Sequence, residues 1–105
     1  MFNVGIDLTT IKRFDEIDIL AIKRFLSKSE FDEYLEITKT HTKDFINLFL
    51  ATRWALKEAI FKADNRFYEF KKINITKHDN VYHFENFSLS TSNENGMVIA
   101  IAIKN

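Results

Sequence analysis

The sequence contains no cysteine, no proline and only two glycines in 105 residues. The lack of cysteine excludes disulfide bridges, thiolate catalysis and thiolate metal sites, and it fits a reducing compartment. No stretch approaches roughly 18 uninterrupted apolar residues, and the amino terminus has neither the basic start nor the apolar run of a secretory signal. Export and membrane spanning are therefore unsupported, and we expect a cytoplasmic protein.

A strong charge of either sign is also missing, because fifteen basic and fifteen acidic side chains cancel. The chain therefore has no global field of the kind that drives binding to nucleic acid or anionic membrane. Hydrophobic residues make up 46% of the chain and charged residues 29%, as in ordinary globular proteins. We expect one domain over residues 1–105, with a core small enough that a homo-oligomer would be unsurprising.

The first third of the chain predicts a strand followed by two helices. Residues 2–7 alternate between apolar and polar or small side chains, the period of a short strand. Thr9 or Thr10 is placed to cap a helix that follows directly, and Ser27 or Ser29 to cap the next.

The longest predicted element is a helix over residues 42–64, which no glycine or proline interrupts. At 100° per residue, four residues form its main apolar stripe: Phe45, Thr52, Leu56 and Ala63. The same projection places Ala51 and Ala55 on the opposite side. This element should anchor the fold.

Three β-rich runs, residues 70–77, 80–90 and 97–104, follow the long helix. The sequences HDN and NENG separate them and are typical of hairpin turns, with Asn95-Gly96 as a tight turn. The carboxyl-terminal third therefore predicts antiparallel sheet, and the whole chain predicts a single α+β domain.

Glu58 and Lys62 fall opposite the main apolar stripe of the long helix, among small and aromatic neighbours. In the simplest interpretation, Glu58 and Lys62 form a surface ion pair worth about 0.2–0.5 kcal/mol. Asp7, in the same interpretation, stabilises the start of a helix. Alternatively, Asp7 and Glu58 could supply the one or two carboxylates that Mg²⁺ takes beside waters and phosphates.

Arg53 and Lys57 lie beside the apolar stripe and could grip an anionic substrate, although charges in such positions are usually just solvated. The three histidines show no metal-ligand spacing, and we assign them no role. The chain has no dinucleotide-binding glycine motif and no P-loop.

Two motifs resemble the short, single-domain holo-acyl-carrier-protein synthases of the phosphopantetheinyl transferase superfamily. The first, VGIDLTTIKRF at residues 4–14, resembles the family's strand-to-helix motif G-[IL]-D followed by a basic residue. The second, FLATRWALKEAIFKA at residues 49–63, is similar to its helix signature, with Arg53, Lys57, Glu58 and Lys62 in register. RFLSKSEFDEY at residues 24–34 gives further support.

The resemblance implies an antiparallel sheet packed against one long and several shorter helices, in homotrimers with active sites between subunits. It implies transfer of 4'-phosphopantetheine from coenzyme A to a serine of apo acyl carrier protein, with release of 3',5'-ADP, in fatty acid and lipid biosynthesis. Asp7 and Glu58 would bind Mg²⁺, Glu58 would be the candidate base, and Lys62 would neutralise or protonate the leaving phosphate.

Further family positions imply where the two substrates bind. Arg53 and Lys57, with Lys62, match positions near the coenzyme A nucleotide. Thr91 stands where the family usually has a substrate-contacting histidine. Three basic residues would face the acidic carrier protein: Arg13, Arg24 and Lys28.

Two alternatives stay open at the level of sequence. Residues 63–72 lack the glycine-rich stretch that the family uses for coenzyme A. The chain could therefore be a carrier-protein-binding module that has lost coenzyme A binding. A nucleic-acid-binding domain using the many aromatic and lysine residues is disfavoured by the zero net charge.

Overall fold

The computed structural model describes residues 3–105. Its helices are α1 (Ile19–Phe25), α2 (Lys28–Thr40) and α3 (Lys43–Ala63), with 3₁₀ turns at Ile11–Phe14 and Phe70–Lys72. Its strands are β1 (Asn3–Thr10), β2 (Thr76–His78), β3 (Val81–His83), β4 (Phe87–Glu94) and β5 (Met97–Lys104). No helix within residues 3–105 has the length and apolarity that crossing a membrane requires.

The main sheet is antiparallel, with the order β1-β5-β4, and β2 and β3 form a separate hairpin. The central strand β5 pairs with both neighbours over its whole length, which places Asp7 opposite Ala100 and Thr91 on the far side of the same residue. The predicted α+β class, with an antiparallel sheet beside one long and shorter helices, is confirmed. The first and last strands are neighbours, so the sheet joins the two ends of the described chain.

The backbone of helix α3 lies directly against the backbone of β1, because β1 carries Gly5 at the point of contact. A Cβ built on Gly5 would lie 1.8 Å from the carbonyl oxygen of Ala59 and 2.8 Å from the nitrogen of Ala63. Opposite them, β5 contributes the small buried side chains of Ala100 and Ala102. Small residues on both surfaces therefore bring β1 and α3 into direct contact, two residues from Asp7.

The predicted long helix is confirmed, with Thr42 as its N-cap and Asp64 as its C-cap. The predicted apolar stripe is wrong in part. Phe45 is 44% exposed, whereas Ala51 and Ala55, which were expected on the opposite side, are fully buried. The sheet covers one side of α3, and the 3₁₀ turn and α1 cover another, so the helix is buried nearly all round.

The predicted start of the second helix is confirmed, since Ser27 caps α2 in a capping box with Glu30. The prediction of a helix directly after Thr10 is wrong. Strand β1 continues to Thr10, a 3₁₀ turn follows, and α1 begins only after its cap Asp18. Phe2, the first residue of the predicted strand, lies outside the described residues.

The β4–β5 turn has the predicted geometry, with φ of 52° at Asn95 and 76° at Gly96. The strand predicted over residues 70–77 is mostly wrong, because residues 70–72 form a 3₁₀ turn and only Thr76–His78 pairs. The continuous strand predicted over residues 80–90 is broken between β3 and β4.

The face of the main sheet that points away from α3 is apolar, and residues 3–105 leave it uncovered. Six of its side chains are between 37% and 61% exposed: Val4, Ile6, Leu8, Met97, Ile99 and Ile103. An exposed apolar surface of this kind usually marks an interaction site.

Candidate active site

Asp7 and Lys62 meet where α3 crosses the edge strand β1. The Lys62 ammonium donates to Asp7 Oδ1 at 3.1 Å and to the backbone oxygen of Ile6 at 3.1 Å. The Asp7 side chain is 13% exposed, whereas that of Lys62 is 49% exposed. A mostly shielded carboxylate therefore faces an ammonium that solvent and substrates can still reach.

Glu58 lies one helical turn before Lys62 and is half-buried. Burial raises the pKa of Glu58, and the charge of Asp7 raises it further, while Lys62 and Arg13 act in the opposite direction. Two carboxylates and two cations therefore lie close enough to influence one another. The structure brings Asp7, Glu58 and Lys62 together although 51 positions separate the first two (58 − 7).

This pair of carboxylates is suited to a hard divalent cation. Among residues 3–105 there is no group of three or more histidine, aspartate or glutamate side chains that could enclose a metal. Mg²⁺ commonly takes only one or two carboxylates and keeps waters or phosphate oxygens as its other ligands. Burial raises the pKa of Glu58 most, and the repulsion from Asp7 that adds to this shift is what such a cation would relieve.

Arg13 borders the same site from the 3₁₀ turn after β1. Its guanidinium lies 4.7 Å from the centre of the Trp54 ring. Trp54 is fixed in turn by edge-on contacts with Phe25 at 5.3 Å and Phe70 at 5.6 Å. The cation–π contact holds Arg13 beside the turn of α3 that carries Glu58.

The other two predicted basic residues lie on neighbouring elements. Arg24 is exposed in the last turn of α1, and Lys28 begins α2 with a side chain that is 90% exposed. Lys28 pairs with Asp32 at 3.3 Å, a surface contact of small energy. Arg24 and Lys28 therefore form an accessible basic surface at the junction of the two helices.

Lys57 is the most deeply buried of the predicted site residues, at 0% exposure. Its ammonium contacts Glu30 at 2.5 Å, the Phe25 oxygen at 2.7 Å and the Phe70 oxygen at 2.9 Å. Burial lowers the pKa of Lys57 to about 8, and Glu30 opposes that shift. These contacts use all three donors of the ammonium. Direct contact between Lys57 and a nucleotide stays a prediction, and it would require one of these partners to be exchanged.

Glu30 is the residue of this cluster that the sequence analysis missed. Its carboxylate also accepts hydrogen bonds from the backbone nitrogens of Ser27 and Ile75. The spacing Ser-x-x-Glu at residues 27–30 is a recognisable capping-box signal. That signal predicts the bonds within α2 but gives no indication of a partner on α3.

Arg53 and Thr91, two of the predicted nucleotide-binding residues, line one cavity of about 280 Å³. The cavity lies between α2, α3, the β2–β3 hairpin and β4. Its lining includes Glu33, Phe49, Arg53, Lys77, Tyr82 and Thr91. Arg53 is 3% exposed, and its guanidinium lies 4.8 Å from the centre of the Phe49 ring. The cavity thus combines a buried cation with aromatic and hydroxyl groups.

The carboxylate site and this cavity lie on different sides of α3. Glu58 and Arg53 are five residues apart, which separates them by roughly 140° around a helix. One copy of the chain therefore does not present Arg53 and Glu58 to the same small ligand. Asp7, Glu58 and Lys62 form one cluster, and Arg53 and Thr91 line a separate cavity.

The model of the 4'-phosphopantetheinyl transferase superfamily matches residues 3–102. The holo-[acyl-carrier-protein] synthase of Mycoplasma mobile is 52% identical over 101 residues, which cover 96% of this chain and 87% of that protein. The holo-ACP-synthase structure from Plasmodium yoelii superposes with a TM-score of 0.82 at 22% identity, covering 96% of this chain and 91% of that one. The structure of a Bacillus anthracis holo-(acyl-carrier-protein) synthase in complex with CoA (3',5'-ADP) superposes with a TM-score of 0.79 at 22% identity. The superposition covers 96% of this chain and 93% of that one.

Proposed function

Because this chain belongs to the 4'-phosphopantetheinyl transferase superfamily, we propose that it acts as a holo-[acyl-carrier-protein] synthase. It transfers the 4'-phosphopantetheine group of coenzyme A to a serine of apo acyl carrier protein and releases 3',5'-ADP. The product serves fatty acid and lipid biosynthesis. The observation that carries the proposal is the meeting of Asp7, Glu58 and Lys62 at the crossing of β1 and α3.

In this mechanism the serine oxygen forms a bond to the β-phosphorus of coenzyme A, and the bond from that phosphorus to the 3',5'-ADP oxygen breaks. Glu58 accepts the serine proton, and the burial that raises the pKa of Glu58 favours this role. Lys62 neutralises or protonates the departing phosphate oxygen, and its half-exposed ammonium can reach a substrate. Asp7 and Glu58 would hold a Mg²⁺ ion, which when bound neutralises charge on the pyrophosphate.

The nucleotide of coenzyme A is the proposed ligand of the cavity lined by Arg53 and Thr91. Arg53 supplies a fixed guanidinium for a phosphate, and Thr91 supplies a hydroxyl where the family usually has a histidine. Lys57 is proposed to support this site from its buried position beside Arg53. The Bacillus anthracis synthase named as a complex with CoA (3',5'-ADP) supports a nucleotide ligand for this fold.

A homotrimer with active sites between subunits is part of the proposal. The carboxylate cluster and the Arg53 cavity lie on different sides of α3, which supports treating them as two half-sites. In the proposed trimer, a complete site would combine one half-site from each of two neighbouring copies. The face of the main sheet that points away from α3 offers exposed apolar side chains for contacts between subunits. We expect Ile103→Glu to shift the mass in solution from trimer to monomer and to reduce transfer.

The control for that experiment is Leu35→Glu, the same charge placed on an exposed apolar residue of α2. Light scattering coupled to size exclusion measures both variants. An Ile103→Glu variant that stays trimeric and active would remove the sheet face from the interface.

The carrier protein is proposed to dock on Arg13, Arg24 and Lys28. All three residues lie between the end of β1 and the start of α2, and Arg13 reaches toward Glu58. A local basic patch suffices to attract an acidic partner although the whole chain has zero net charge. A cytoplasmic location belongs to the same proposal.

The alternative, a carrier-protein-binding module without coenzyme A binding, is not favoured. Residues 63–72 lack glycine, but both half-sites keep their charged groups. A relative that shares half of its residues with this chain carries the name of the enzyme.

The decisive experiment is intact-mass analysis of apo acyl carrier protein incubated with the chain, coenzyme A and Mg²⁺. We expect a mass gain of one phosphopantetheine, which a chelator prevents. Glu58→Gln should slow the transfer by at least about 100-fold, as expected for loss of a general base. Glu36→Gln, at an exposed residue of α2, is the matched control. No mass gain with a competent carrier would reject the proposal.

A further inference from the structure

Two cations converge on one aromatic ring in the cavity beside Arg53. The guanidinium carbon of Arg53 and the ammonium of Lys77 each lie 5.1 Å from the centre of the Tyr82 ring. Among residues 3–105, Glu33 is the single acidic residue that lines this cavity. The lining therefore carries two positive charges and one negative charge, a balance that favours an anionic ligand over a cationic one.

The guanidinium of Arg53 has unused hydrogen-bonding capacity in this environment. Its Nε lies 3.3 Å from Glu30 Oε2, but the geometry is not that of a hydrogen bond. No other group in the described part of the chain bonds this buried atom. Its Nη2 donates to Glu33 Oε1 at 3.4 Å, which is long for such a bond. The Arg53 guanidinium has five donors and its residue is 97% buried, yet its hydrogen bond to Glu33 is weak.

Glu33 differs from Arg53 in its freedom to move. The Glu33 side chain is 54% exposed and reaches the cavity from α2. Arg53 is held between the rings of Phe49 and Tyr82. An incoming anion can therefore displace the glutamate into solvent and leave the guanidinium in place.

We propose that Glu33 is a resident counter-anion that a substrate phosphate must displace from Arg53, so that Glu33 sets the affinity and selectivity of the cavity for phosphate-bearing nucleotides. The inference rests on the proposed function, because it takes this cavity as the nucleotide site. A phosphate carries more charge than the carboxylate and offers more acceptor oxygens to the guanidinium. It therefore displaces Glu33 from Arg53. A nucleoside without phosphate cannot.

Titration calorimetry with 3',5'-ADP at low ionic strength tests this role. We expect Glu33→Gln to bind 3',5'-ADP about fivefold more tightly than the parent chain, near the upper range for a half-exposed ion pair. The affinity for adenosine, used as the phosphate-free ligand, should stay unchanged. Glu36→Gln, one helical turn further along α2 and outside the cavity lining, should leave both affinities at the parent values.

Each other outcome overturns the inference in a recognisable way. Equal or weaker binding of 3',5'-ADP by Glu33→Gln would reject the role of Glu33 and leave the proposed transfer reaction intact. Equal tightening in Glu36→Gln would assign the effect to overall charge and reject it as well. Failure of both the parent and Glu33→Gln to bind 3',5'-ADP would reject the nucleotide cavity and the role of Glu33 together.

Discussion

The ammonium of Lys57 lies 2.5 Å from the carboxylate of Glu30, in a position where the two side chains are 0% and 1% exposed. Through this pair, α3 is tied to the start of α2, to the end of α1 at Phe25 and to the turn at Phe70. The contact therefore fixes where the basic surface of α1 and α2 lies relative to the carboxylates on β1 and α3.

Lys57→Met should destabilise the fold by about 3–5 kcal/mol, because it leaves the buried carboxylate of Glu30 without its nearest cation. Urea denaturation measures the loss. Glu30→Gln should also be costly, because it leaves the buried ammonium of Lys57 without its carboxylate partner. The double variant should lose clearly less than the sum of the two single losses. Strictly additive losses would mean that the two residues do not act as a pair.

The same lysine predicts a dependence of stability on pH. Burial lowers the pKa of Lys57 to about 8 in the folded chain, against the ordinary lysine value of 10.5. Between these two values the unfolded chain binds more protons than the folded chain, so the contribution of Lys57 to the free energy of unfolding increases with pH. We expect the stability gap between the parent and Lys57→Met to widen from about pH 8 to about pH 10. A gap that narrows would contradict this assignment.

The sequence predicted the elements whose signals are local. Ser27 was identifiable as a cap and Asn95-Gly96 as a turn, because each depends on hydrogen bonds or backbone angles within a few residues. Phe45 was misplaced because periodicity does not show how far the sheet extends along α3; at the first turn of α3 its ring instead stacks on His41 at 4.3 Å.

The charged residues show the other limit of sequence reasoning. From the sequence, Lys57 could be a solvated residue or a ligand for an anion. Only the structure shows that Glu30, 27 positions away, neutralises its charge. The separation of Arg53 and Glu58 on α3 follows from helix geometry, but only the packing shows that Arg53 opens into a cavity with Tyr82. Such contacts depend on the complete fold.

Glu58→Gln should raise the thermal midpoint of the metal-free chain at neutral pH. Burial and Asp7 raise the pKa of Glu58 in the folded state, so its contribution to stability is lost as pH rises through that value. Glutamine carries no charge, so the variant does not have the free-energy cost of a buried carboxylate beside Asp7. Functional residues commonly lower stability in this way. Mg²⁺ should then stabilise the parent but not the variant, as calorimetry can show. A midpoint lower than that of the parent would contradict the prediction.

Gly5→Ala should destabilise the chain by at least about 1–3 kcal/mol, because the new methyl group would overlap the carbonyl oxygen of Ala59. It should also slow transfer, since Asp7 lies two residues further along β1. The control is Gly96→Asn, where φ is 76° and no atom of residues 3–105 lies within 4 Å of the added Cβ. Equal stability of the two variants in urea would show that β1 and α3 can separate freely.

The position of Arg53 and Glu58 on different sides of α3 has a genetic consequence if the proposed trimer forms. A subunit defective at Glu58 still carries an intact Arg53, and a subunit defective at Arg53 still carries an intact Glu58. Two inactive alleles of this gene should therefore complement each other in mixed assemblies. Two alleles that are both defective at Glu58 should not.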